Sequence, residues 1–166
     1  MTLKKLLGIA LVTGASLFTN NAKAQLLPQP TTTFTITFHS DWEAHPAYLL
    51  HGFTNGTSSP GNWISHIEYN QTINFKNVPA AYIGRDANDA AKSVLITTNG
   101  PATFYVYDHP SGTPHSDDYS VIRVLGPVTN FKISRFERNV NTPYVIQTHY
   151  HDNGLDGKVS SFRAEQ

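Results

Sequence analysis

The chain has 166 residues, with twelve Lys or Arg against twelve Asp or Glu, eight His and no cysteine. A balanced charge without a basic stripe excludes the electrostatic footprint of a nucleic-acid or anionic-membrane binder. The lack of cysteine excludes both a disulfide framework and a lipid-modified N-terminal Cys.

Residues 1–24 read as a secretory signal peptide. Lys4 and Lys5 form a basic start, Leu6 to Phe18 an apolar run, and Ala22-Lys23-Ala24 a small-residue cleavage site. The apolar run is too short to span a bilayer and no second long one follows, so the mature chain is expected to carry no membrane span. The expected location is secreted or periplasmic. Removal takes Lys4, Lys5 and Lys23 and no acid, leaving nine basic against twelve acidic side chains, a charge of −3. Residues 25–32 read as a loose leader, and 33–166 as a single domain.

The domain reads as all-β. Thr31 to Phe38 alternates Thr with Phe34, Ile36 and Phe38, the period of a half-buried strand. Further strands are expected at Trp63–Tyr69, Thr72–Phe75, Ser93–Thr98, Thr103–Tyr107, Tyr119–Leu125, Phe131–Glu137, Tyr144–Tyr150 and Val159–Ala164, all rich in β-branched and aromatic residues. Gly- and Pro-bearing stretches separate them, at Asn55–Gly61, Asn99–Pro101, Pro110–Pro114 and Gly126-Pro127. No segment sustains a helical period.

Two pairs of echoes suggest an internal duplication. Asn88-Asp89-Ala90-Ala91-Lys92-Ser93 returns further on as Asp156-Gly157-Lys158-Val159-Ser160-Ser161. Thr33-Phe34-Thr35-Ile36 returns, at an offset two positions longer, as Thr103-Phe104-Tyr105-Val106. A repeat of about 70 residues is a unit that recurs at a nearly fixed period. It makes 33–98 and 103–164 two halves of one domain, because an isolated half would leave one sheet face wet.

These residues carry a resemblance. Asp156 to Ser161 and Asn88 to Ser93 each resemble the six-residue calcium signature of microbial βγ-crystallins: two Asn or Asp, two free positions, Ser or Thr, then Ser. Tyr107-Asp108-His109-Pro110-Ser111-Gly112 is similar to the aromatic-to-glycine turn of that family's first hairpin. The resemblance implies a β-sandwich of two Greek-key motifs, with insertions at Trp42–Gly61 and Asn130–Pro143. It also implies crossed Ca²⁺ sites, each taking a side-chain oxygen from one turn and a carbonyl plus a hydroxyl from the other. One such site would combine Asp89 with Ser160 and the carbonyl of Lys158. The other would need Lys92, an ammonium in place of a hydroxyl, and Gly157, which has no side-chain ligand, so it reads as disabled. Asp117-Asp118 reads as an acidic turn, with an additional cation loop as the alternative.

Other chemistry is less specific. His149 and His151, two apart on a strand, would share a face and offer two corners of a zinc or copper site, with Asp152 and His109 or His115 nearby. Asp41 and Glu43 fall in a turn and make a poor glycosidase pair, and no Gly-x-Ser-x-Gly turn exists. Trp42, in a polar loop, is the aromatic placed to meet a sugar. The expectation is an exported, non-enzymatic βγ-crystallin-like module that binds Ca²⁺ weakly or not at all. The alternatives are a carbohydrate- or cell-surface-binding β-sandwich and a small zinc hydrolase.

Overall fold

A computed structural model describes residues 31–57, 63–78, 87–114, 117–151 and 154–166. The segments expected to be a signal peptide (1–24) and the start of the leader (25–30) lie outside the described residues. Contacts gather Thr31–Gln166 into one compact unit.

The described chain is nearly all β, as two packed sheets. Its strands are β1 (Phe34–His39), β2 (Leu49–Thr54), β3 (Ile64–His66), β4 (Thr72–Asn74), β5 (Ser93–Thr98), β6 (Ala102–Tyr107), β7 (Tyr119–Val124), β8 (Val128–Ile133), β9 (Val140–Asn141), β10 (Val145–Tyr150) and β11 (Ser161–Glu165). The first sheet runs β3-β2-β1-β5-β8 and the second β4-β11-β6-β7-β10-β9. All pairings are antiparallel except β2 with β3.

The expected duplication has a counterpart in register. β1 pairs with β5 through Thr35 opposite Thr97 and His39 opposite Ser93. β6 pairs with β11 through Thr103 opposite Glu165 and Tyr107 opposite Ser161. A single offset carries each position onto its twin: Thr35 onto Thr103, His39 onto Tyr107, Ser93 onto Ser161 and Thr97 onto Glu165. It is the offset of the two acidic turns, Asn88 onto Asp156. The offset read from Thr33 to Ile36, which would put Thr35 onto Tyr105, is therefore two positions too long. A two-residue slip on a strand preserves which side chains face inward, so Thr-Phe-Thr-Ile matches either register.

The sheets are tied by exchange. β4 follows β1 and β2 in the chain yet pairs in the second sheet, with Ile73 opposite Phe162 on β11. β8 follows β6 and β7 yet pairs in the first sheet, with Ile133 opposite Val94 on β5. Between the sheets lies a phenylalanine cluster. The Phe38 ring stands 5.0 Å from Phe75, 5.3 Å from Phe162, 6.0 Å from Phe53 and 6.3 Å from Phe136, mostly edge to face. Each such buried ring contributes about 1.5–3 kcal/mol.

Three strand expectations change. β2 occupies Leu49–Thr54, inside the stretch read as an insertion. It is buried on both faces, from Leu50 to Thr54, so its sequence shows no alternation. A Cβ on Gly52 would lie 2.9 Å from Ile64 and 3.0 Å from Thr37, so only glycine lets Ile64 cover that face. β8 ends at Ile133 rather than reaching Glu137. Phe136, which gives that stretch its strand-like look, enters the core from a turn. Of Trp63–Tyr69 only Ile64–His66 is strand.

Candidate functional site

The two echoing turns meet in the structure, and their main chains bond reciprocally. The Asp89 N–H donates to the Val159 carbonyl (3.0 Å), and the Gly157 N–H to the Ala91 carbonyl (2.9 Å). Each turn is pinned to the hairpin of its own half in the same manner. Lys92 N–H reaches His39 O and Ser160 N–H reaches Tyr107 O, both at 2.8 Å. The Ser93 hydroxyl donates to Asp41 O (2.5 Å), and the Ser161 hydroxyl to His109 O (2.6 Å). The final Ser of each turn is therefore a buried brace between the turn and its hairpin. Asp89 (φ 56°) and Gly157 (φ 85°) both take the left-handed conformation. Asp tolerates it because its short side chain bonds locally, here receiving the Asn88 amide at 2.6 Å.

The pairing brings the three sequence-predicted oxygens together. The Ser160 hydroxyl donates to Asp89 Oδ1 (2.9 Å) and also approaches the Lys158 carbonyl (3.3 Å). One carboxylate, one hydroxyl and one carbonyl from two turns thus converge on a spot beside the β6–β7 loop. That loop adds acids. Asp108, at its start, has its carboxyl pushed up by burial and by the charges of Asp117, Asp89 and Asp118, against the pull of Lys158. Its N–H donates to the Asp118 carbonyl (2.9 Å), and Asp118 is itself buried. Asp108 thus feels both Asp89 and the Asp117-Asp118 pair.

The twin position is built differently. Where Ser160 meets Asp89, Lys92 runs past Gly157; its Cε lies 3.7 Å from where a Gly157 Cβ would stand. The Lys92 ammonium ends 4.7 Å from the centre of the Trp42 ring, and the Arg135 guanidinium lies 5.0 Å from that same centre. Asp156, the acid of this turn, is turned to the main chain instead. Its Oδ1 accepts the Phe136 N–H (2.7 Å) and its own N–H donates to Glu137 Oε1 (2.9 Å). Burial, and then Glu137, push its carboxyl up, against the Phe136 N–H and Arg135.

The histidine pair separates. β10 ends at Tyr150, and His151 turns to φ 64°. The His149 ring lies toward Ser120 (3.4 Å) and the His151 ring toward Tyr119 (6.1 Å), so the two no longer share a strand face. His115 and Asp152 lie outside the described residues. Among the described residues no group of three His, Cys, Asp or Glu side chains is placed to hold a metal. An ion at Asp89 would therefore rest on a single carboxylate with hydroxyl and carbonyl oxygens. His39 and His51 are buried, and burial lowers the pKa of both.

Aromatic positions also change meaning. Trp42 is exposed, but two cations stand over its ring. Tyr105, Tyr107, Tyr119 and Tyr150 form a stacked row across the second sheet, with centroids 6.0, 6.0 and 4.6 Å apart, so their faces cover one another. Trp63 instead lines a hollow of about 490 Å³ with Pro46, Ala47 and Leu49. No helix among the described residues is long and apolar enough to cross a membrane. Comparison of the chain with protein-family models, with curated proteins and with solved structures finds no match.

Proposed function

We propose that this is an exported, non-enzymatic binding module of βγ-crystallin type, a β-sandwich of two Greek-key halves with one weak Ca²⁺ site. The observation that carries this reading is the convergence of Asp89, Ser160 and the Lys158 carbonyl from two turns that bond each other reciprocally. The exchange of β4 and β8 between sheets and the common offset of the two halves support the two-half part of it. Ca²⁺ takes six to eight oxygens. Asp89, Ser160 and Lys158 would supply three, the Ser160 hydroxyl turning its proton away from Asp89 to offer a lone pair. Water and neighbouring carbonyls would complete the shell. The acids of the β6–β7 loop favour a cation there. The ion would brace the two halves, because its ligands come from both turns.

The test is thermal unfolding in chelator and in millimolar Ca²⁺. At about 100 times Kd one site adds about 2.7 kcal/mol. The shift should vanish in Asp89→Ala and in Ser160→Ala. An unchanged melting temperature in Ca²⁺ would leave the turns as purely structural connections. A carbohydrate-binding role is the second reading, favoured by the Trp63 hollow. Loss of glycan retention in Trp63→Ala, with Trp42→Ala unaffected, would single it out.

A further inference from the structure

We propose that Lys92, Arg135 and the exposed Trp42 form a binding site for a dianionic oxyanion, a phosphate or sulfate group. Two like charges stand within 5.0 Å of one indole centre. Both side chains are half-buried, so water screens their repulsion less than at an open surface. The ring face attracts each cation, by about 0.5–2 kcal/mol, but it neutralises neither. The ordinary remedy is a carboxylate, and among the described residues no ion pair involves Lys92 or Arg135.

The nearby acids among the described residues are already engaged. Asp41 accepts the amides of Glu43 and His45. Glu43 pairs with Lys132. Asp156 accepts the Phe136 N–H, and Glu137 accepts the Asp156 N–H. Trp42 is 45% exposed, so a ligand from solvent reaches the pair. Two cations match a dianion in charge, and a guanidinium and an ammonium are the donors that a tetrahedral oxyanion takes. Asp156 lies within electrostatic range of Arg135, so the binding is weak. The twin spot has the single carboxylate of Asp89; this one has two cations. The same turn, used twice, thus carries opposite charge. The inference does not depend on calcium at the first spot.

The experiment follows the Trp42 indole N–H resonance of the full chain in chelator, as inorganic phosphate, sulfate, phenyl phosphate or chloride is added at matched ionic strength. A saturable shift with phosphate or sulfate and none with chloride is expected. Lys92→Gln and Arg135→Gln should each weaken it about tenfold, Lys92→Arg should retain it, and Asp89→Ala should leave it unchanged. Equal affinity for phenyl phosphate would make a monoester the ligand; binding of the inorganic ions alone would make it the free anion. A response that chloride reproduces, or an affinity unaltered in both Gln variants, would overturn the proposal.

Discussion

The Asp89–Ser160 spot and the Lys92–Gly157 spot have the same backbone and opposite chemistry. Their reciprocal main-chain bonds are nearly equal, 3.0 against 2.9 Å, and their ties to the hairpins are both 2.8 Å. The serine braces match equally well. At the ligand positions the side chains differ: Ser160 against Lys92, and Asp89 against Gly157. The scaffold is thus held by main-chain bonds and by the last Ser of each turn, which leaves the second and fifth positions free to vary. A turn can keep its fold while its ligand chemistry is lost or reversed.

The comparison breaks most visibly at the hairpins. Ala44 (φ 51°) and Gly112 (φ 65°) are twins under the same offset, and both are left-handed. A Cβ on Gly112 would lie 2.4 Å from Thr72. Gly112→Ala should therefore cost about 3 kcal/mol, from left-handed strain and overpacking together, read as a lower urea midpoint. Next comes the ion. Asp89→Ala should abolish a Ca²⁺ stabilisation of about 2.7 kcal/mol, whereas Lys92→Ser joined with Gly157→Asp should add a second equivalent by calorimetric titration. A stoichiometry that stays at one in the double variant would show that the two spots differ in more than these side chains. Ala44→Gly, the reverse of the first change, should stabilise by about 1 kcal/mol by relieving strain.

The smallest effect is at Asp156. Its carboxyl is raised, mainly by burial, so the folded state holds the proton more tightly than the unfolded one. That lowers stability above the folded pKa and has no effect below the ordinary value of 3.8. Asp156→Asn should add less than about 1 kcal/mol at neutral pH, an advantage that disappears in acid. A gain that persists at pH 2 would assign the effect to packing.

Much of the fold was legible because its central strands alternate. Phe34, Ile36 and Phe38 face the core as the pattern required, and β5 has the boundaries read from Ser93–Thr98. β2 was not legible: burial on both faces removes the alternation, and Gly52 looks like a turn although it is there to admit Ile64. Register was only half legible, since period-2 strands match themselves at a two-residue slip. The meeting of Asp89 with Ser160 was an implication of the family resemblance carried by the two turns, not of their spacing. The Lys92–Trp42–Arg135 group could not, because Arg135 arrives from the stretch after β8, whose course depends on Phe136 leaving the strand to enter the core. His149 and His151 misled for a related reason: the strand ends between them.

The exchange of β4 and β8 bears on how the chain assembles. Neither sheet can be completed by residues from one half, so a nascent chain that has emerged only as far as Thr98 still lacks the partner for the β8 side of β5 and leaves β4 without β11. Cutting the short β5–β6 connection after Asn99 would give two fragments, each missing an edge that only the other supplies. Mixed, they should recover the parent's circular dichroism and co-elute as a one-to-one complex, while either fragment alone stays unstructured.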